Sequence, residues 1–488
     1  MPTNDTVTSD LFIGGQWSPA EGGRYRQTVE AVTGRPIARV AAASVADARG
    51  AAAAAASAFP AWAATPPARR REILHRAAAL LGERAAELST LMRKEMGATR
   101  LWGEFNVRLA RGMLTEAAAR AYSAVGEVIP SDIPGMTALA LREPCGVVVG
   151  IAPWNAPLIL GVRAIAMPLV FGNTVVLKAS EQVPCTHAAI VEVLHDAGVP
   201  AGVVNLVGNA PEDAAQVVEA LIAHPAVTRV NFTGSTRVGR IVAETAGRHL
   251  TRTVLELGGK APFVVLADAD LGAAAAAAGF GAFLNQGQIC MATERLIVDR
   301  SVADELSHRL TAHAANLVVG PPDDPATQIG PVVHADARDH VMALIDDARE
   351  HGARVLTGGT ADGLFVRPTV LRGVTAGMRA YSEESFGPLV TITEVADPDE
   401  AVRIANDTDY GLSAAVFGRD ATTALGVARR IRSGICHING ATVHDEPQMP
   451  FGGLGASGWG RFGSRAALEE FTELRWITLQ SGERHYPI

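Results

Sequence analysis

The chain has 488 residues, and a single hydrophobic core stops growing near ~250–300 residues, so two sizeable domains are expected. Hydrophobic residues make up 48% and charged residues 19%, which excludes a disordered or fibrous chain. The net charge of −8 is mild and contains no basic block, so neither nucleic acid nor an anionic membrane surface is an expected partner.

Met1 to Asp10 is polar, carries two acids and lacks the apolar centre of a signal peptide. The segment Ala41 to Gly97 predicts helical hairpins, with an alanine run at Ala51–Ala56 and helical spacing of apolar residues from Arg69 to Leu91. Pro130, Pro134 and Gly135 punctuate a β-prone stretch, Gly126–Arg142, which predicts a hairpin standing apart from those helices. From Cys145 onward short apolar runs alternate with helical segments. Gly146–Ile151, Thr174–Lys178, Val203–Val207 and Val227–Thr233 predict buried strands; Leu158–Phe171, Thr186–Ala197, Pro211–Ala223 and Ser235–Ala246 predict crossover helices. That alternation means a parallel sheet covered on both faces. Thr253–Leu257 closes the series at Gly258-Gly259, and a second β/α series runs from Pro262–Leu266 past Val416, placing a boundary near Gly258. The tail, Phe471 to Ile488, alternates as an edge strand and is expected to pair with the Gly126–Arg142 hairpin of a neighbouring copy.

Ile151 to Gly172 is the most apolar stretch, but Asn155, Arg163 and three prolines argue against a membrane span. Four cysteines (Cys145, Cys185, Cys290, Cys436) with no CxxC pair fit a reducing cytoplasm. A special thiol there acts as a nucleophile rather than a staple.

Gly234-Ser-Thr-Arg-Val-Gly239 joins a strand to a helix, where free N–H groups favour an anion, although an ordinary tight turn would look the same. Lys178 and Glu181 follow a strand at the carboxyl edge of the same sheet and can hold the hydroxyls of a ribose. Cys290 sits where asparagine, glutamines and glycine interrupt an apolar run, and Glu256 is a lone carboxylate in an apolar strand. A buried glutamate has a raised pKa, suited to a general base, and a thiol with a base is an arrangement for covalent catalysis. Asn155 follows directly on a strand and can donate to an oxyanion. The 13 histidines show no metal-ligand spacing, so no metal is expected, and His437, His444, Asp445 and Glu446 read as a solvated or pocket-edge loop.

Taken in order, seven motifs resemble the aldehyde dehydrogenase superfamily from about residue 10 to the C-terminus. They are Pro153-Trp-Asn155, Lys178-Ala-Ser-Glu181, Phe232-Thr-Gly-Ser-Thr236, Leu255-Glu-Leu-Gly-Gly-Lys260, Gly287-Gln-Ile-Cys290, Glu384-Ser-Phe-Gly-Pro388 and Pro450-Phe-Gly-Gly453. The resemblance implies an α/β fold in three parts. A Rossmann-type NAD-binding domain would comprise residues 1–125 and 145–257, a catalytic domain 258–455, and an oligomerisation flap 126–144 and 471–488 of a homodimer or homotetramer. It implies Cys290 as nucleophile, Glu256 as general base and Asn155 as oxyanion donor. Lys178 and Glu181 would bind the adenine ribose, Trp154 and Ser235 the pyrophosphate, and Glu384 the nicotinamide ribose, with Phe386 beside it. Ile151, Ala152, Ser180, Gly208, Phe232, Gly234, Val238, Leu257 and Gly258 would complete the coenzyme site. NAD is expected over NADP, because Glu181 would repel a 2′-phosphate.

Three stretches are similar to the bacterial salicylaldehyde, vanillin and benzaldehyde dehydrogenases: Ala156-Pro-Leu-Ile-Leu-Gly-Val-Arg163, Asn439-Gly-Ala-Thr-Val-His-Asp-Glu446, and Pro450 to Thr478 with the His485-Tyr-Pro-Ile end. That resemblance implies an aromatic aldehyde as substrate. Trp102 and Trp459 would wall a flat slot, Ile289 and Met291 would flank the nucleophile, and Arg163 would reach a ring hydroxyl or the product carboxylate. Three rivals stand beside this reading: an enzyme for aliphatic aldehydes or semialdehydes, a CoA-acylating enzyme, against which Glu256 speaks, and a catalytically silent scaffold.

Overall fold

The computed structural model describes residues 7–488, so the first six residues of the polar N-terminal stretch lie outside it. Its largest sheet has eight strands. Five parallel strands form the interior, in the order Arg252–Glu256, Val227–Thr233, Val147–Ile151, Thr174–Lys178 and Val204–Val207. Antiparallel edges close it: Gly458–Trp459 beside Arg252–Glu256 at one end, Leu11–Ile13 and Gln16–Ser18 at the other. The apolar runs explain the parallel interior, because both faces are covered. Val148, Val175 and Leu177 enter one core, while Val147, Val149 and Val176 enter the core on the opposite face. The chain order reverses between Val147–Ile151 and Val227–Thr233, and at such a switch point the strand ends leave a crevice.

The alanine run has a packing reason. Helix Val45–Ala63 starts at a Ser44 capping box and buries Ala48, Ala51, Ala52 and Ala55, a stripe at helical spacing. Small side chains let it lie close to the sheet, where the Thr174 hydroxyl donates to the Ala55 carbonyl at 2.9 Å. The helical spacing over Arg69–Leu91 is carried by two helices, Pro67–Glu83 and Ala85–Met96. The break falls at Arg84, whose guanidinium leaves the helix line to bind Glu87 and Glu192.

A second sheet of seven strands begins at Ala261–Val265, four residues after the first sheet ends. It is parallel apart from one edge strand, Arg354–Thr357. The short link Leu257–Lys260 therefore sets the carboxyl edge of one sheet against the amino edge of the other. A third sheet, of three strands, stands apart. Strand Thr472–Gln480 pairs antiparallel with Met136–Pro144 over its whole length, and Glu127–Ile129 completes it. This corrects the expected pairing of the tail with a neighbouring copy: the chain supplies its own partner strand, and the strand stops at Gln480.

Gly458 shows how tightly the first sheet is closed. Its φ is +98°, and a Cβ there would sit 2.0 Å from the Leu255 carbonyl oxygen. Gly458→Ala is expected to lose about 2–4 kcal/mol of stability. Gly426, inside helix Ala421–Ala428 with open space around it, should instead gain about 0.5–1 kcal/mol as alanine. Urea unfolding of the two variants checks both; equal midpoints would refute the argument.

Candidate active site

Cys290 lies on a loop between helix Leu271–Phe283 and strand Thr293–Asp299. Asn285 and Gln286 take left-handed backbone angles, φ 49° and 58°, and Gly287 continues at 70°. Such conformations persist only when neighbours hold them. Here the amide side chains do so. Gln286 exchanges hydrogen bonds with the Gly330 N–H and the Pro331 carbonyl, both at 3.1 Å, and Gln288 accepts from the Val333 N–H at 2.9 Å. Asn285 donates to the Asn155 carbonyl at 3.1 Å. The polar residues that interrupt the apolar run are thus the braces of the nucleophile loop. Their positioning role was missed in the sequence reading; four buried amide or glycine positions in succession were the available signal.

Asn155 follows strand Val147–Ile151 at the switch point and is buried. Its side-chain amide donates to the Gln288 carbonyl at 2.9 Å, two residues before Cys290. The indole N–H of Trp102 donates to the Asn155 carbonyl, also at 2.9 Å. Trp102 is buried and stacks on Phe105, so it supports Asn155 from behind.

Glu256 ends strand Arg252–Glu256 and is almost fully buried. Neither carboxylate oxygen has a hydrogen-bond donor, and the Cys290 thiol is the neighbouring group that acts on it most strongly. Burial pushes the carboxyl up to about 7, with the thiol and Arg163 pulling it partly back. Burial also pushes the Cys290 thiol well above its ordinary value, and the adjacent Glu256 charge adds to the rise. The resting pair is a neutral thiol beside a carboxylate poised near neutrality. Ile289 and Met291 are buried on either side of the thiol, in one apolar core with Trp102, Phe451 and Phe462.

Along the same strand ends, Lys178 forms a buried ion pair with Glu181, and Asn209 donates to Glu181 at 2.8 Å. The Ser180 N–H is held by His187 at 3.0 Å, and the Gly208 carbonyl by the Ala43 N–H at 2.8 Å. Ile151 and Ala152 end the central strand, buried, with Trp154 just beyond. Phe232 is buried under Gly234, where a Cβ would fall 2.5 Å from its ring. Ser235 caps helix Thr236–Arg248 by accepting from the Val238 N–H. Leu257 is buried beside that helix. Glu384 accepts from the Gly259 N–H at 2.8 Å, and a Cβ on Gly258 would lie 2.3 Å from its other oxygen. Burial, then the like charge of Glu294, pushes the Glu384 carboxyl up to about 8. Phe386, at φ 43°, meets Trp154 edge to face at 5.7 Å. A dinucleotide fits this cradle: glycines let backbone come close, a helix start faces it, and carboxylates stand at both ends.

One expected pocket residue is placed elsewhere. Trp459 pairs in register with Leu255, not Glu256. Side chains opposite one another share a face of the sheet, and neighbours along a strand do not. Trp459 therefore lies on the face away from Glu256, half exposed, with its N–H on Thr253. It walls no slot beside the thiol. Arg163 is near the site but not free: it forms a buried ion pair with Asp445 and lies 4.1 Å over the Phe451 ring. The loop of acids and histidines divides accordingly. His444 and Glu446 bind each other on the surface, and Asp445 is buried.

The family model described as the aldehyde dehydrogenase family matches residues 17–477. A vanillin dehydrogenase from Pseudomonas fluorescens is 57% identical, over 98% of this chain and 99% of its own. The crystal structure of a salicylaldehyde dehydrogenase from Pseudomonas putida G7, complexed with salicylaldehyde, superposes with a TM-score of 0.96 at 43% identity, covering 99% of this chain and 100% of that one. A structure of PnpE in complex with nicotinamide adenine dinucleotide gives 0.94 at 37% identity, covering 98% and 99%. The chain belongs to the aldehyde dehydrogenase family. It is accordingly an oxidoreductase of the kind that pairs an aldehyde with a nicotinamide coenzyme, NAD or NADP.

The raised carboxyl of Glu256 fixes a pH dependence. A base works only when ionised, so turnover should climb about tenfold per pH unit below about 7 and level off above it. A steady-state profile from pH 5 to 9 reads this, and a midpoint near the ordinary carboxylate range would contradict the burial argument.

Proposed function

We propose that this enzyme oxidises an aromatic aldehyde of the vanillin or salicylaldehyde kind to its carboxylic acid, with NAD as coenzyme. The observation that carries the chemistry is the desolvated Glu256 carboxylate beside the Cys290 thiol, with the Asn155 amide bonded to the carbonyl of Gln288, two residues before that thiol. Full-length similarity to enzymes named for aromatic aldehydes supports the substrate class.

Glu256 takes the proton of the Cys290 thiol, and the thiolate attacks the aldehyde carbon. The carbonyl electron pair moves to oxygen, where the Asn155 amide and the Cys290 backbone N–H hold the developing charge. A bound nicotinamide supplies the acceptor for the hydride that leaves this carbon. The carbonyl re-forms as a thioester on Cys290. Glu256, once it has passed the thiol proton on to solvent, removes a proton from water, the resulting hydroxide adds to the thioester, and the thiolate departs as the acid forms. Lys178 and Glu181 would hold the adenine ribose, Ser235 and Trp154 the pyrophosphate, and Glu384 the nicotinamide ribose beside Phe386. Glu181 would accept from a free 2′-hydroxyl and repel a 2′-phosphate, which favours NAD.

The eight-stranded sheet would be the coenzyme domain and the seven-stranded sheet the catalytic domain. The three-stranded flap exposes Leu474, Trp476 and Leu479, and it would join copies into a homodimer or homotetramer. Four free cysteines suit a reducing cytoplasm, and no described helix is long and apolar enough to cross a membrane.

Specificity constants for benzaldehyde, vanillin, salicylaldehyde and hexanal, each with NAD and NADP, test the assignment. Aromatic aldehydes with NAD should lead; hexanal matching them would defeat the substrate reading, and parity of the coenzymes the argument from Glu181. Rapid mixing tests the shared base. In Glu256→Gln the first NADH turnover should slow about 10²-fold at neutral pH and recover in alkali, where the thiol ionises unaided. Deacylation should stay slow at both. A normal first turnover at neutral pH would show that another group takes the thiol proton.

A further inference from the structure

Asp445 is the one acid of its loop that the fold buries. Its Oδ2 binds Arg163, which comes from the helix Pro157–Val170 just after Asn155. Its Oδ1 is buried and has no hydrogen-bond partner. Both side chains of the pair are 6% exposed. The pair borders a cleft lined by Met113, Met167, Met449, Phe451 and Phe462. Those apolar residues, apart from Met449, belong to the same core as Ile289 and Met291, which flank the thiol. Arg163 and Asp445 are close enough to act electrostatically on Glu256, and Arg163 also on Cys290.

A carboxylate oxygen left bare at the edge of an apolar cleft is costly, because it has lost water and gained no donor. A ligand that brings a donor repairs that loss, and one that brings only a hydrogen or a fluorine does not. The guanidinium gives an N–H to Oδ2 and lies over the Phe451 ring, whereas Oδ1 is the buried atom of the pair that no donor reaches. The free group is an acceptor, so it reads a hydroxyl and disfavours an anion. The cleft is narrow, about 20 Å³, and Glu446 also lines it, but its methionines and phenylalanines are adaptable, sulfur-rich and aromatic surface of the kind that packs on a ring.

We propose that Asp445 is a specificity-determining residue whose Oδ1 accepts a hydrogen bond from a hydroxyl on the ring of the aldehyde, with Arg163 holding the carboxylate in place. The site therefore selects hydroxylated benzaldehydes over unsubstituted ones. This rests on the aromatic-aldehyde reading above and adds the group that discriminates within that class. A site that hydrogen-bonds a hydroxyl rejects the analogue lacking it far more strongly than a purely apolar pocket does.

The test compares each hydroxybenzaldehyde isomer with the fluorobenzaldehyde substituted at the same position. The readout is the ratio of the two specificity constants, in wild type, in Asp445→Asn and in the double variant Arg163→Met/Asp445→Leu. The double variant removes the pair without leaving a buried charge alone, which guards against misfolding of the single one. A ratio cancels general damage to the enzyme, because both aldehydes use the same thiol and base. For at least one ring position the wild-type ratio should exceed ten, and it should fall at least tenfold in the double variant. The benefit should also vanish as pH rises through the hydroxyl's own pKa, because the ring oxygen then has no proton to donate. Ratios that stay unchanged at all three positions, with benzaldehyde itself turned over, would overturn the proposal and leave the aromatic reading intact. No turnover of any benzaldehyde would overturn both.

Discussion

Glu256 loses its water at the end of a strand and gains no N–H or O–H in return. The shift from an ordinary carboxyl to about 7 corresponds to about 3 kcal/mol against ionisation. The thiol of Cys290 and the charge of Arg163 offset part of that cost, and burial, then the Glu256 charge, raises the thiol in turn. Glu256 ends a strand of the first sheet, and Cys290 sits on the loop that leads into a strand of the second. They meet because Leu257–Lys260 is too short to let the sheets part, and Gly259 allows the Cys290 carbonyl to pass where any Cβ would stand 2.2 Å away.

The surrounding construction serves that contact. Gln286 and Gln288 tie the loop to Gly330–Val333, while Asn285 and Trp102 fix the carbonyl of Asn155 from two sides. Each of these bonds is worth about 1 kcal/mol. Their value here is geometric, since a group that stabilises developing charge must already be in position when the charge appears. Lys260 and Glu294 form a further buried pair, and Glu294 accepts from the backbone of Ser385 and Phe386. The segment carrying Glu384 is thereby anchored to the strand that follows Cys290.

Substrate discrimination is built from a different part of the molecule. Arg163 reaches the site from the helix after Asn155, and Asp445 from the segment between strand Ile435–Ile438 and Phe451. The chemistry of oxidation and the choice of aldehyde can consequently vary apart, as expected when residues for selection lie on loops over a rigid scaffold.

Much of this was legible in the chain. Continuous apolar runs gave the parallel strands to within a residue or two, because burial on both faces requires them. Motif order, through the resemblance to the aldehyde dehydrogenase family, singled out Cys290, Glu256, Asn155 and Lys178, which the fold brings to neighbouring strand ends and loops. The alternation that put Glu256 in its strand also decided against Trp459, but only once the register was known: a two-residue sheet edge, Gly458–Trp459, has no pattern that sets its partner. Arg84, at the helix break, bonds Glu192 more than a hundred residues away, and the tail pairs with Met136–Pro144 of its own chain. Asp445 read as one member of a polar loop, since nothing local distinguishes it from His444 or Glu446. Its burial comes from Arg163 and Phe451, which are brought to it by the fold. Sequence by itself determined which residues have the chemistry to act, because reactivity and strand pattern are local. Which of them face the thiol, and which carboxylate is left with a bare oxygen, was decided by tertiary structure, because register and desolvation arise only between segments distant in the chain.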